Sequence, residues 1–211
     1  SVFADIRAIR EAEKKLQNLL NEDQLTGLPN YRGFLDYFKK KDPAAQFAIL
    51  FIDLDNFKNI NDTFGHDQGD EVIRQIAQHL KATLPSGNFL CRRSGDEFIA
   101  VLDIDEPIAD FKAKLKLLFV PAVFTVHHMG TVQVTATFSA GAALFPDHSK
   151  SVNELLIYAD TALLSAKESG RNQIQWLNAK MLAATSRKTK VDSKLAVAIR
   201  EGRIYPHYQA E

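Results

Sequence analysis

Residues Ala48–Leu54, AILFIDL, form an apolar run that ends in acids, Asp53 and then Asp55. A run of that length without polar alternation predicts a strand covered on both faces, so the chain must place helices on two sides of a sheet. A second segment, Arg93–Phe98, reads RSGDEF: a tight Ser94-Gly95 turn followed at once by Asp96 and Glu97. Two strand ends that each present carboxylates suit a hard divalent cation between them. Mg²⁺ usually takes one or two carboxylates plus substrate phosphates, and metal pairs clamp the attacking and leaving oxygens of phosphoryl or nucleotidyl transfer.

Around these segments the pattern mixes helices with hairpins. Residues 4–21 carry no Gly or Pro, and Val2, Ile6, Ile9, Leu16 and Leu20 step by helical spacing. They predict a short parallel coiled coil or a helix packed on its own domain. Gly27 and Pro29 break that helix. Helices are expected over Tyr31–Lys40, Asp70–Ala82, Pro107–Phe119 and Val152–Ser169, with Gly170 at the last helix's end. Asn88–Asp103 reads as one hairpin. Ala122–His128 with Thr131–Leu144 reads as a second, because Val132, Val134, Ala136 and Phe138 alternate with polar residues. Asn172–Trp176 adds a last strand. The expected fold class is α+β with a largely antiparallel sheet.

Composition narrows the function. The chain of 211 residues is 45% hydrophobic, enough for a real core, and its 26 basic and 26 acidic residues balance. Zero net charge argues against a protein that coats nucleic acid. It leaves room for a nucleotide site, which needs only local charge. The lone Cys91 cannot form an internal disulfide and points to a reducing, cytoplasmic compartment. No run of 18 apolar residues would span a membrane, so the chain is expected to be cytoplasmic, either free or as the cytoplasmic part of an anchored protein.

Five blocks together resemble the GGDEF family, the diguanylate cyclases. Asp23–Tyr31, DQLTGLPNY, is similar to that family's D-x-LTGLPN opening. Asp53–Asp70 is similar to D-x-D-x-FK-x-IND-x-x-GH-x-x-GD. Ser94–Phe98 resembles the signature turn with Ser in place of its first Gly. Phe138–Pro146 resembles S-x-G-x-A, and Ala159–Asn172 resembles AD-x-AL-x-x-AK-x-x-GRN. The resemblance implies a ferredoxin-like palm similar to nucleotide cyclases, and a domain over residues 22–178. Residues 1–21 would be a signalling helix and residues 179–211 a linker helix, Ala179–Arg203, ending in LAVAIREGRIYPHYQAE, which resembles the opening of an EAL phosphodiesterase domain. The chain is therefore expected to be a piece of a longer protein with an upstream sensor and a downstream EAL domain.

The implied reaction condenses two GTP into cyclic di-GMP and two pyrophosphates, with Mg²⁺ or Mn²⁺, in a homodimer that brings one GTP per subunit. The resemblance makes Asp53, the Leu54 carbonyl and Asp96 metal ligands, with Asp96 and Glu97 as the catalytic acids. A lone strand-end Asp would otherwise cap the next helix, and Glu97 would be a surface acid on a turn. Asn61 and Asp70 match the guanine readers; read alone they are a turn residue and an N-cap after Gly69. His66, expected in a Gly65–Gly69 loop, would touch ribose or phosphate. Lys167 and Arg171, four apart, are expected to point the same way onto the triphosphate rather than form a solvated helix end. Lys58 is a further phosphate candidate, Gly95 keeps the turn open, and Asp55 is expected to be structural, orienting Lys58. His127-His128 would face opposite sides of a strand and carry no metal. Ser94 is expected to lower activity, since Gly permits φ > 0 and close approach. The family's R-x-x-D inhibition site falls on Pro85 and Asn88, which lack the needed charge. The alternative is a weak or inactive GTP-binding domain that regulates the EAL phosphodiesterase.

Overall fold

A computed structural model describes residues 19–42, 44–85, 87–117, 121–127, 130–183 and 199. The expected N-terminal helix (coiled coil or packed on its own domain) and the expected EAL-like tail lie outside the described residues, apart from helical turns at 19–21 and 179–183.

The apolar run becomes strand β1 (Phe47–Leu54), buried at all eight positions. It is central because β3 (Glu97–Asp103) and β6 (Phe138–Phe145) pair with it antiparallel on either side. The five-stranded sheet runs β2 (Phe89–Ser94), β3, β1, β6, β7 (Ile174–Trp176), and only β6–β7 is parallel. The order β6-β1-β3-β2 is that of a split βαβ repeat, the ferredoxin-like arrangement. The fold is therefore α+β with a mostly antiparallel sheet, as expected.

Side chains alternate across β1 and build two cores. Phe47, Ile49 and Phe51 pack with α1 (Tyr31–Lys39) and with α5 (Val152–Glu168). Ala48, Leu50, Ile52 and Leu54 face α2 (Phe57–Phe64), α3 (His66–Thr83) and α4 (Ile108–Lys116) through Ile60, Ile73, Ile76 and Phe111. Two glycines permit this packing. A Cβ on Gly141 in β6 would meet the backbone of α5 at 1.9 Å, and one on Gly69 would meet Asn61 Oδ1 at 1.8 Å.

Two expectations are corrected and one helix is added. The stretch Thr131–Leu144 is not one strand: β5 (Thr131–Ala136) pairs with β4 (Ala122–His127) in a separate two-stranded sheet, and the chain changes sheets at Thr137. The switch is held from afar, because Asp55 N donates to Thr137 O (2.9 Å) and Thr137 Oγ1 donates to Asp55 Oδ2 (2.7 Å). The short, polar helix α2 was not foreseen from its apolar spacing. Helix α3 begins at His66 rather than Asp70, so there is no Gly65–Gly69 loop; Gly65 alone separates α2 from α3, with φ of 84°.

Candidate functional site

Strand β1 brings its acids to the turn between β2 and β3. Asp53 is opposite Glu97 in the antiparallel register, and Leu54 N donates to the Asp96 carbonyl at 3.4 Å. Asp53, Asp96 and Glu97 thus gather at one end of the sheet, although the first two are 43 positions apart in the chain. The Asp53 carboxyl is pushed up to about 6, chiefly by burial. Lys167 beside it pulls the other way, while the charges of Asp96 and Glu97 push it further up. Asp96 is raised as well, again first by burial.

Lys167, from the last turn of α5, reaches across β6 to Asp53: Nζ lies 2.5 Å from Oδ1. The contact is one of charge, since Asp53 Oδ1 is buried without a hydrogen bond of good geometry. A carboxylate oxygen held only by an ammonium is one that a divalent cation could take over. Among the described residues no three His, Cys, Asp or Glu side chains converge as ligands. A donor set of Asp53, Asp96 and a main-chain carbonyl at Leu54 fits that limit, leaving coordination positions for phosphate oxygens and water.

Glu97 is engaged differently. Its Oε2 accepts from Arg93 Nη1 (2.8 Å) and from Ser94 Oγ (3.0 Å). Ser94 ends β2 next to a register shift, and Gly95, not Ser94, carries the positive φ of the turn, 52°. The serine therefore imposes no backbone strain there; what it adds is a hydroxyl on Glu97. Arg93 lies over the rings of Tyr31 and Phe51, 5.8 and 5.2 Å from their centroids.

Arg92, which the sequence reading passed over, supports the turn from below. Its Nε donates to Gly95 O (2.8 Å), and Nη1 reaches both carboxylate oxygens of Asp23 (3.0 and 3.1 Å). Burial alone would raise the Asp23 carboxyl, but hydrogen bonds from Thr26 and Arg92 hold it below the usual range. The Asp23–Asn30 loop is thereby fastened to the signature turn, which explains a motif so far from the acids in sequence.

The remaining candidates follow β1 directly. Lys58 and Asn61 sit on α2, His66 and Asp70 on α3. Asn61 Oδ1 is buried without a partner against Gly69. Lys58, His66 and Asp70 are exposed. Asp70 is not an N-cap, being inside α3. Asp55 does not hold Lys58; its carboxylate accepts from Thr137, Ser139 and the main chain of Asn172. Lys167 and Arg171 do not share a helical face. Helix α5 ends at Glu168, and Gly170, Arg171 and Asn172 follow with φ of 110°, 63° and 47°. Arg171 is exposed.

Residues 20–173 match the family described as diguanylate cyclase, GGDEF domain. The chain belongs to the GGDEF family. The GGDEF domain of TpbB (YfiN) from Pseudomonas aeruginosa superposes with a TM-score of 0.68 at 28% identity, covering 78% of this chain and 99% of that one. The coiled coil and GGDEF domain of DgcB from Caulobacter crescentus, solved in complex with c-di-GMP, gives 0.67 at 25% identity over 83% and 95%. Two longer relatives carry different activities in their names. The bifunctional diguanylate cyclase/cyclic di-GMP phosphodiesterase MucR of Pseudomonas aeruginosa is 31% identical over 96% of this chain. The cyclic di-GMP phosphodiesterase PdeR of Escherichia coli is 29% identical over 97%. The chain spans 30% and 31% of those two proteins' lengths. Among the described residues of this GGDEF domain, no helix is long and apolar enough to cross a membrane.

Proposed function

We propose that this GGDEF domain is a diguanylate cyclase, joining two GTP into cyclic di-GMP with release of two pyrophosphates. The observation that carries the reading is the meeting of Asp53 and Asp96 at one strand end, with a buried, underbonded Asp53 oxygen faced by Lys167. Asp53, the Leu54 carbonyl and Asp96 would hold Mg²⁺ or Mn²⁺, which lowers the pKa of a hydroxyl and offsets charge on the phosphates.

The chain's own residues supply the rest. Asn61 and Asp70 read guanine, whose N1–H and N2–H₂ donate to a carboxylate or amide oxygen. Lys167 leaves Asp53 when the site fills and turns with Arg171, Lys58 and His66 to the triphosphate and ribose. Gly95 lets a phosphate approach the turn. Glu97 accepts the proton as the 3′-hydroxyl of one GTP attacks the α-phosphorus of the other and pyrophosphate departs. Because each domain binds one GTP, the reaction needs a second copy of the domain. In the full-length protein an upstream sensor would set the meeting of the two copies in the cytoplasm, and an EAL domain would follow.

Incubating the protein with GTP and Mg²⁺ and separating products by chromatography tests this reading. Cyclic di-GMP is expected, and its loss in Asp96→Asn. GTP binding without product in the wild type contradicts it, and most pointedly if Ser94→Gly then makes product. A second reading has its own observation: Glu97 is already occupied by Arg93 and Ser94. On that reading the domain binds GTP without turnover and regulates the phosphodiesterase partner.

A further inference from the structure

Asp55 is the second acid of the strand end and the mechanism above gives it no task. It is only 5% exposed. Its Oδ1 accepts from Ser139 Oγ (2.7 Å); its Oδ2 accepts from Thr137 Oγ1 (2.7 Å) and from the main-chain N of Asn172 (3.0 Å). All three donors are neutral, and no ion pair to Asp55 is found among the described residues. Burying a full charge for neutral donors is costly where an amide or hydroxyl would fasten two strands. The position therefore needs an acceptor that can serve three donors at once, which only a carboxylate does.

The third donor is the informative one. Asn172 and Arg171 are non-glycine residues in the left-handed region, directly after Gly170, which also has positive φ. Such a run is disfavoured on its own and persists only when its surroundings determine it. Two main-chain contacts do so: Arg171 N donates to Ala166 O (3.0 Å), and Asn172 N donates to Asp55. The segment is thus tied to β1 at both ends, Lys167 against Asp53 and Asn172 against Asp55. Arg171 lies between those ties, and the direction in which its side chain leaves the main chain follows from the turn that Asp55 holds.

We propose that Asp55 is a positioning residue for nucleotide binding: by holding the left-handed Arg171–Asn172 turn it sets the Arg171 guanidinium over the substrate's triphosphate. The inference rests on the nucleotide reading above and adds to it a residue that touches no substrate. Asparagine in its place keeps one acceptor oxygen and presents an amide that only donates, so either the Asn172 main-chain N loses its acceptor or a hydroxyl of Thr137 or Ser139 must turn round to accept.

The test measures binding to the whole 211-residue chain. The probes are a GTP analogue with a methylene bridge between the α- and β-phosphates, in Mg²⁺, and guanosine, which has no phosphate, followed by amide chemical shifts. Asp55→Asn and Arg171→Ala are each expected to weaken the analogue by about tenfold. The double variant is expected to be no weaker than either single, because both remove the same contact. Guanosine binding is expected to stay unchanged in all three. Should Asp55→Asn fail to fold, Ser139→Ala loosens Asp55 while keeping its charge, and about a threefold weakening of the analogue alone is expected. Unchanged analogue affinity, full additivity with Arg171→Ala, or an equal loss for guanosine overturns the proposal. Wild-type protein that binds neither probe overturns the nucleotide reading itself.

Discussion

Burial of the Asp53 carboxyl at the strand end costs stability at neutral pH. With its carboxyl pushed up to about 6 by burial, the folded protein holds a proton between about pH 4 and pH 6 that the unfolded chain has released. Its contribution therefore falls as pH rises through that window, and the deficit remains above it. Asp53→Asn is expected to raise the melting temperature at pH 7.5, by roughly 1–3 kcal/mol of stability, while abolishing product. The difference should vanish near pH 4. A variant that melts lower at pH 7.5 would show that the Lys167 contact, not burial, dominates there. Ser94 makes the opposite kind of statement. The structure removes the strain expected of serine in a glycine position and replaces it with a hydroxyl on Glu97. Freeing Glu97 in Ser94→Ala or Ser94→Gly is expected to raise kcat by about threefold to tenfold with little change in KM. Ser94→Thr, which keeps the hydroxyl, should behave as wild type.

At the scale of elements, α5 packs on β6 with no room for a side chain at Gly141. Gly141→Ala would drive a methyl into the Ala159 carbonyl and the Leu163 nitrogen, so α5 must shift. About 2–3 kcal/mol of destabilisation is expected in chemical denaturation, and with it a displaced Lys167 and weaker GTP binding. How far such elements could be read beforehand depended on where their determinants lie. Strand β1 was legible because seven neighbouring residues encode it. The end of β5 was not, since Val132, Val134, Ala136 and Phe138 keep one alternation through Thr137 and the break is made by Asp55, 82 residues away. Helix α2 was missed because it is short and polar, its place fixed by the left-handed Asn56 after β1. The acids of the site were legible as strand ends. The contact of Lys167 with Asp53 was not, because it arises only once β6 and α5 have packed.

For the whole molecule, the account also predicts an absence of feedback. A cavity of about 360 Å³ lies where the family's inhibition site would be, lined by Pro85, Asn88, Asp103, Asp105 and Glu106 among others. Its one lysine, Lys114, is paired with Glu106. A wall of acids repels a dianionic dinucleotide, so calorimetric titration with cyclic di-GMP is expected to show no binding that changes at Pro85 or Asn88 abolish. On the proposed reading, the Asp53 carboxylate would exchange Lys167 for a cation when nucleotide binds at this strand end. A crystal structure with Mg²⁺ and the methylene-bridged GTP analogue measures that directly. The account predicts a cation bridging Asp53 and Asp96 beneath the phosphates, with the Lys167 ammonium moved from Asp53 to the triphosphate. An analogue bound elsewhere, with Lys167 still against Asp53 and no cation between the two aspartates, would contradict it.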